Sequence, residues 1–259
     1  MRKPSHALRA FPLLLSVIGC GPGNEDIDSG HSERDTSSVA LAQSLSSTEE
    51  FSWYQGNYAT AMGSASDRVC YLTRMRGHFE GDGEFVYTFT KGGSWYLSGS
   101  SMQLGVAASS RCAYVPGNEY ASEYSWHQSQ SYPTYMGTAN GRVCFLTMVA
   151  GQFKGAGEWV HAYISGGSWY LGGGSYQRGV SVRARCVNVS SYSGEYSWSQ
   201  NQGSSTNMGA TADRACALTY VTGNFMGEGE YVQVFKNSGS WFLGGGSYQH
   251  GVGARARCF

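Results

Sequence analysis

Six of the seven cysteines in this chain stand at a repeated spacing that implies thiol chemistry. They form three pairs whose members are 42 positions apart: Cys70 and Cys112, Cys144 and Cys186, and Cys216 and Cys258. Paired thiols either oxidise to a disulfide or hold a metal ion such as zinc. No pair has the CxxC spacing of common zinc sites and no histidine recurs at equivalent positions, so we expect a disulfide within each pair and an oxidising compartment. Paired zinc thiolates are the alternative.

Ionisable residues that recur in every copy of this pattern are the second candidate for chemistry. In the first copy they are Glu50, Arg68, Glu84 and Arg111. Paired carboxylates can cleave a glycosidic bond, but for Glu84 and Arg68 we favour structural ion pairs or turn caps. The sequence contains no GxSxG, HExxH or P-loop pattern. We therefore expect no enzymatic activity, no cofactor and no metal site.

A Ser-x-Gln segment near the end of each copy is the best candidate for ligand recognition. The three segments are Ser101-Met102-Gln103, Ser175-Tyr176-Gln177 and Ser247-Tyr248-Gln249. Loops on a rigid β scaffold often carry binding groups, and tyrosine, serine and glycine suit ligands that are rich in hydroxyl groups. We predict that the ligand-binding residues are Gln103, Tyr176, Gln177, Tyr248 and Gln249. The alternative is a plain hairpin loop whose glutamine bonds to backbone groups.

Recurring tryptophans and arginines allow two further hypotheses. The tryptophans at 53, 126 and 198 and at 95, 169 and 241 could stack on sugar rings. Strand alternation places Trp95 on the same face as Leu97, however, and we favour the core for both sets. The arginines of the last predicted strand either attract acidic polysaccharide or lipopolysaccharide, or keep an exposed strand soluble, which we favour. They are Arg111, Arg183, Arg185, Arg255 and Arg257.

The elements that position these residues belong to a unit that is used three times, over residues 50–117, 118–189 and 190–259. Apolar residues alternate with the period of a β-strand, and glycine-rich segments such as Gly-x-Gly-Glu separate the runs as turns. We predict an all-β fold of three tandem antiparallel β-sandwich or small-barrel repeats. Each disulfide would join the start of a central strand to the end of the last strand. Whether the repeats are independent or pack around a pseudo-threefold axis stays open, and we favour close packing.

The N-terminal residues indicate export from the cytoplasm. Basic residues precede an apolar run over 11–18, which is too short to span a bilayer and is typical of a signal peptide over residues 1–19. The run ends in Val17-Ile18-Gly19-Cys20, which resembles the lipobox of bacterial lipoproteins. That resemblance implies cleavage before Cys20 and lipidation of its thiol. Cys20 is the one cysteine outside the three pairs. An ordinary secretory signal is the alternative.

Charge is distributed unevenly between the segment that follows and the repeats. Residues 20–49 are rich in serine and acids and poor in large apolar groups, so we expect a disordered acidic tether. Residues 21–50 carry seven acids against one arginine, whereas the chain from residue 51 onward has 14 Lys and Arg against 11 Asp and Glu, a net charge near +3. So small an excess is not typical of a nucleic-acid binder.

These features predict a lipid-anchored protein of the cell envelope, at the outer membrane or cell surface, with secretion as the alternative. Three equivalent sites favour a multivalent, lectin-like binding protein, because linked weak sites gain avidity. Its expected partners are a glycan or surface polysaccharide, and the membrane through the lipid. The first alternative is a structural or adhesive protein that binds other proteins or itself, and the second is a secreted hydrolase.

Overall fold

A computed structural model of the chain describes residues 47–115 and 122–259, and all regular structure within them is β-strand. None of these residues belongs to an apolar helix long enough to cross a bilayer. The predicted all-β class is therefore confirmed. The proposed signal peptide, Cys20 and almost all of the proposed tether lie outside the described residues.

Each repeat contributes six strands. Those of repeat 1 are β1 (Phe51–Tyr54), β2 (Thr60–Ser64), β3 (Arg68–Arg76), β4 (Phe85–Lys91), β5 (Ser94–Ser100) and β6 (Ala107–Tyr114). Those of repeat 2 are β7 (Tyr124–His127), β8 (Thr134–Thr138), β9 (Arg142–Ala150), β10 (Trp159–Ser165), β11 (Ser168–Gly174) and β12 (Ser181–Asn188). Those of repeat 3 are β13 (Tyr196–Ser199), β14 (Thr206–Ala210), β15 (Cys216–Thr222), β16 (Tyr231–Asn237), β17 (Ser240–Gly246) and β18 (Gly253–Cys258).

The six strands of a repeat form a two-layer sandwich, and each layer continues into a neighbouring repeat. In repeat 1 one layer is β1-β6-β3 and the other is β2-β5-β4, with β1 packed on β5. Three six-stranded antiparallel sheets result, with the orders β1-β6-β3-β16-β17-β14, β2-β5-β4-β9-β12-β7 and β13-β18-β15-β10-β11-β8. The predicted sandwich repeats are confirmed. They are not independent, because every sheet is shared by two repeats.

Three phenylalanines mark a pseudo-threefold axis where the central strands β3, β9 and β15 pack together. Phe79, Phe153 and Phe225 are fully buried, and their rings meet edge to face with centroids 6.1–6.3 Å apart. The backbone N–H of each donates to the carbonyl of the next around the axis at 2.7 Å. This closed ring joins all three repeats through both backbone and side chains.

The three predicted disulfides are present. In each repeat the two cysteines face each other in register at the start of the central strand and the end of the last strand, as expected. Such bonds persist in an oxidising, extracytoplasmic environment. The central strands are paired on both sides, as predicted, but each contains a bulge at Thr73, Thr147 or Thr219 that interrupts the simple alternation.

The strands run between two ends of the body. The disulfide end holds the cysteine pairs, and the loop end holds the Gly-x-Gly-Glu turns and the Ser-x-Gln segments. Ser47 bridges to Ala113, and the Thr48 N–H donates to the Cys112 carbonyl at 2.8 Å. The chain therefore enters the described body at the disulfide end, with bonding that begins three residues before the predicted boundary of repeat 1.

Both sets of recurring tryptophans belong to the core, as the alternation indicated. Trp95 and its counterparts at 169 and 241 are completely buried, and their indole N–H groups donate to backbone carbonyls at 2.8–3.2 Å. Trp53 and its counterparts at 126 and 198 retain 2–6% exposure. Each of these rings lies against a glycine of the opposite layer, such as Gly99, where a Cβ would clash with it. These tryptophans hold the layers together and are not a broad platform for ligands.

Candidate binding surface at the loop end

Each Ser-x-Gln segment is a tight turn closed by its own serine, and the three turns are called the Gln loops below. In repeat 1 the Ser101 hydroxyl accepts a hydrogen bond from the Gln103 backbone N–H at 2.8 Å, and the same 2.8 Å bond closes the loops of repeats 2 and 3. Serine forms such turns readily because its hydroxyl lies close to the backbone. The Gln loops link β5 to β6, β11 to β12 and β17 to β18, so all three lie at the loop end.

The Gly-x-Gly-Glu turn supports the Gln loop of the same repeat. In repeat 3 the buried Glu230 carboxylate accepts a hydrogen bond from the Tyr248 backbone N–H at 3.3 Å. The carboxylate folds over Gly227, where a Cβ would clash with it, and the counterparts of Glu230 are equally buried. The recurring arginine has a separate role: the Arg68 guanidinium donates to the Met62 carbonyl at 3.4 Å. The recurring glutamate and arginine are thus turn and loop supports, in line with the interpretation we favoured.

Each Gln loop also touches the turn of a neighbouring repeat through a glycine with a φ of 73–80°. The contacts are Gly105 of repeat 1 with Glu228 of repeat 3, Gly179 of repeat 2 with Asp82 of repeat 1, and Gly251 of repeat 3 with Ala156 of repeat 2. A Cβ at any of the three glycines would overlap the neighbouring turn. Turns and Gln loops therefore alternate around the axis and hold one another in place.

The most exposed large apolar side chains of the described residues gather at the loop end. Met102, Tyr176 and Tyr248, at the middle of the Gln loops, are 95–96% exposed. Tyr58 and Tyr132, in the adjacent β1–β2 and β7–β8 loops, are 99% and 80% exposed. Large apolar groups clustered in solvent are typical of interaction surfaces. Of the predicted ligand-binding residues, Tyr176 and Tyr248 belong to this exposed set.

The predicted glutamines keep their side-chain amides unbonded. Within the described part of the chain, no hydrogen bond involves the amide of Gln103, Gln177 or Gln249. A different glutamine bonds to the backbone in each repeat. The Gln128 and Gln200 side chains accept from the N–H groups of residues 180 and 252 at 2.8–2.9 Å, and the Gln55 side chain donates to the Ser101 carbonyl at 3.1 Å. The backbone role in the plain-hairpin alternative therefore falls to these residues, and the Gln-loop amides remain available to a ligand.

Three clefts lie at the loop end of repeat 3, and Ser247 of the Gln loop lines two of them. One of about 290 Å³ lies between Ser247 and the segment 202–205, and one of about 250 Å³ lies beside Gln200 and Tyr220. A third, of about 630 Å³, opens on the other side of Ser247 beside Tyr231. Hydroxyl, amide and aromatic groups line all three, and no Asp or Glu does. Such walls suit a polyhydroxylated ligand.

Sequence reasoning missed the outward faces of the sheets. On the sheet shared by repeats 1 and 2, Phe85, Tyr87, Phe89 and Tyr96 form a row with successive centroid distances of 5.2, 4.6 and 5.5 Å. Counterparts on the other two sheets include Trp159 and Tyr231. An aromatic residue at every second position of β4, opposite buried neighbours, was the sequence pattern that could have indicated this row.

The arginines of the last strands do not lie on exposed strands, so that interpretation is wrong. β6, β12 and β18 are each paired on both sides. The Arg111 guanidinium lies 5.4 Å from the Trp241 ring centroid and 3.8 Å from the Glu50 carboxylate. The other four arginines pair with Glu123 or Glu195; they are Arg183, Arg185, Arg255 and Arg257. Protein carboxylates therefore already neutralise the positions proposed for acidic polysaccharide.

Glu195 has the densest set of partners among these carboxylates. It accepts hydrogen bonds from the Thr219 hydroxyl at 2.8 Å, the His161 ring at 3.0 Å and the Arg255 guanidinium at 3.1 Å, with Arg257 3.9 Å away. Burial opposes ionisation, but the bonds and charges from His161, Thr219 and Arg257 outweigh it and lower the pKa of Glu195 to about 2. The group is a structural anion at neutral pH.

Two further observations give no additional indication of function; one concerns metal-binding groups and the other similarity to known sequences. Residues 47–115 and 122–259 contain no group of three or more His, Cys, Asp or Glu side chains arranged to hold a metal ion. No protein-family model matches the chain, and no curated protein matches it in sequence.

Proposed function

We propose that this chain is a multivalent binding protein of the cell envelope whose loop end recognises glycans. The observation that carries the proposal is the gathering of exposed Met102, Tyr176 and Tyr248 with unbonded glutamine amides at one end of a rigid body. Aromatic rings stack on the apolar faces of sugars, and amides bond to their hydroxyl groups.

The fixed arrangement of the Gln loops supports multivalency. Because turns of neighbouring repeats hold the loops around one axis, all three face the same way and can engage a single polymer or surface. A second and third contact then become intramolecular, so weak individual sites sum to useful avidity. This requires no deep pocket, in keeping with the open clefts around Ser247.

The proposed location combines the N-terminal sequence with the geometry of the body. Lipidation at Cys20 would anchor the protein to a membrane, most simply at the outer membrane or cell surface. The described chain begins at the disulfide end, opposite the Gln loops, so the loop end is not obstructed by the point where the chain enters. Substituting Cys20→Ser should release the protein into the soluble fraction, and continued membrane association would contradict the anchor.

Binding to a glycan array tests the recognition proposal directly. The variant Gln103→Ala/Gln177→Ala/Gln249→Ala should weaken glycan binding about tenfold or more, since each lost amide removes hydrogen bonds and the losses multiply through avidity. The matched control is Lys91→Ala/Ser165→Ala/Asn237→Ala, three equivalent exposed residues at the disulfide end. Unchanged binding in the glutamine variant, or no binding of the parent protein to any glycan, would refute the assignment.

The aromatic row on the sheet shared by repeats 1 and 2 favours a second function, adhesion to proteins or to another copy of the chain. Phe85, Tyr87 and Phe89 stack along β4 and remain partly exposed. Replacing Tyr87 and Phe89 by serine should reduce self-association in sedimentation velocity if adhesion is the role. A glycan-binding role predicts that the same variant keeps its array profile.

A further inference from the structure

The largest of the three clefts lies where repeats 1 and 3 share a sheet, and its lining comes from both repeats. The side chains in that lining are Arg74, Arg76, Tyr231, Gln233, Ser247 and Tyr248. Strand register sets part of this arrangement, because β3 pairs with β16 so that Arg74 faces Gln233 and Arg76 faces Tyr231. The volume, about 630 Å³, lies within the roughly 300–1,000 Å³ of small-molecule sites.

Arg74 has unused hydrogen-bonding capacity. Its guanidinium carbon lies 5.1 Å from the centroid of the Tyr231 ring, which holds the side chain in place by a cation–π contact. Its Nε is buried and has no hydrogen-bond partner in the described part of the chain. In the described residues no hydrogen bond occupies its terminal nitrogens either, so these donors remain available to a ligand in the cleft.

Arg76 completes a local positive charge. Its Nε donates to the Glu228 backbone carbonyl at 2.8 Å, which orients the guanidinium at the cleft. Within residues 47–115 and 122–259, neither Arg74 nor Arg76 forms an ion pair with a carboxylate. Arg183 and Arg255, by contrast, pair with glutamates at 3.3 and 3.1 Å. Arg74 and Arg76 are thus two cations of one outward face that the described carboxylates leave unpaired.

The other two shared sheets carry no cation at the equivalent positions. Register places Met148 and Ala150 of β9 where repeats 1 and 2 meet, and Tyr220 and Thr222 of β15 where repeats 2 and 3 meet. The backbone pairing is the same in all three places. The paired arginines are therefore a property of this cleft and not a requirement of the fold.

We propose that the cleft between repeats 1 and 3 binds the carboxylate of a uronic acid residue in an acidic polysaccharide. Arg74 and Arg76 hold the carboxylate, because guanidinium groups match its two oxygens in geometry and charge. The exposed ring of Tyr248 packs on the sugar face, and the side chains of Gln233 and Ser247 bond to its hydroxyl groups. This inference rests on the proposed glycan-binding function and specifies the class of sugar for one of its sites.

Isothermal titration of the full chain tests the inference with oligomers of galacturonate, glucuronate and mannuronate, each compared with its methyl ester. Esterification removes the charge and leaves the sugar ring unchanged. The parent protein should bind at least one acid about tenfold or more tightly than its ester, which corresponds to about 1.4 kcal/mol. The variant Arg74→Gln/Arg76→Gln should lose that preference while its affinity for the ester changes less than about twofold.

The matched control is Lys91→Gln/Arg183→Gln, which removes the same charge from exposed positions outside the three clefts. It should keep the acid preference. Persistence of the preference in Arg74→Gln/Arg76→Gln, its equal loss in the control, or equal affinity of the parent for acid and ester would overturn the inference alone. Failure of the parent to bind any of these oligomers would also overturn the inference. If the parent in addition bound none of the neutral glycans on the array, the proposed function would be overturned as well.

Discussion

Around the pseudo-threefold axis the three repeats place the same side chain three times, whereas on the outward faces of the shared sheets they place different ones. The axis is formed by Phe79, Phe153 and Phe225, each fully buried and bonded to the next. The outward counterparts at one register position are Arg74, Met148 and Tyr220. A close-packed interior accepts few shapes at each position, while a position with solvent on one side accepts many.

One interior position departs from the repetition, and the chain compensates for it. Tyr71 and Phe145 follow the first cysteine of repeats 1 and 2, but Ala217 stands there in repeat 3. The C-terminal Phe259 supplies the missing ring, with centroids 5.8 Å from Tyr71 and 5.5 Å from Phe145. The interior therefore keeps its volume even where the sequence repetition fails.

The axis should show the largest effect of any side-chain truncation. Phe153→Ala removes a ring that touches two other repeats, and we expect it to lower the free energy of unfolding by about 3–5 kcal/mol. Urea denaturation under oxidising conditions measures this. The outward Phe85→Ala is the matched control and should have a clearly smaller effect, because its ring is only partly buried. Similar losses for the two variants would contradict the distinction between axis and surface.

Compensation by Phe259 predicts coupling between two positions. Phe259→Ala should lower the free energy of unfolding by about 3 kcal/mol, and Ala217→Phe alone by about 1–3 kcal/mol through overpacking. The double variant should be more stable than the sum of the two losses implies, because the new ring replaces the lost one. Additive losses in urea denaturation would mean that Phe259 does not fill the place left at Ala217.

Much of this interior could be predicted from the sequence, and most of the outward surface could not. Cysteine spacing, strand alternation and glycine turns are local patterns, and they led to the disulfides, the sandwich repeats and the buried Trp95. The shared sheets depend on contacts between residues more than fifty positions apart, such as Tyr87 with Met148 or Arg76 with Tyr231, which no local pattern contains. The bulge at Thr147 was not predicted either, because a bulge depends on how two strands pair and has no composition of its own.

The same limit affects the candidate site. Tyr176 and Tyr248 were found because loop composition indicates exposure, and both are 95–96% exposed. Arg74 and Arg76 were not singled out, since their separation from Tyr231 along the chain conceals the cleft they share. The arginines of the last strands were misplaced because the sequence did not show that β12 gains a partner on each side.

Glu50, Glu123 and Glu195 precede the first strand of their repeats at equivalent positions but have different neighbours. They therefore offer a test between the repeated interior and the variable outward faces. Among the described residues, Glu195 is the one of the three that bonds to a histidine, His161, whose counterparts are Tyr87 and Gln233. Since burial is outweighed by hydrogen bonds and charges that lower the pKa of Glu195 to about 2, its contribution to stability is complete above about pH 4.5 and is lost as the pH falls towards 2.

We therefore expect Glu195→Gln to flatten the acid limb of the stability profile. Between pH 5 and pH 2 the parent should lose about 2 kcal/mol more than the variant, after allowance for solvent screening of a partly exposed group. Urea denaturation at a series of pH values measures both curves. Glu228→Gln, at an exposed turn, controls for net charge and should follow the parent. Parallel curves for Glu195→Gln and the parent would rule out this electrostatic role.

The smallest effect on stability should come from replacing outward residues of one shared sheet by their counterparts from another. Arg74→Met/Arg76→Ala gives the sheet shared by repeats 1 and 3 the residues found at Met148 and Ala150, on the same backbone register. Neither arginine has a carboxylate partner in the described chain. The variant removes only the surface hydrogen bond to the Glu228 carbonyl and the cation–π contact with Tyr231, so the free energy of unfolding should fall by less than about 1 kcal/mol. A loss above about 2 kcal/mol would show that the arginines support the junction, and the outward faces would then be constrained by folding in the same way as the axis.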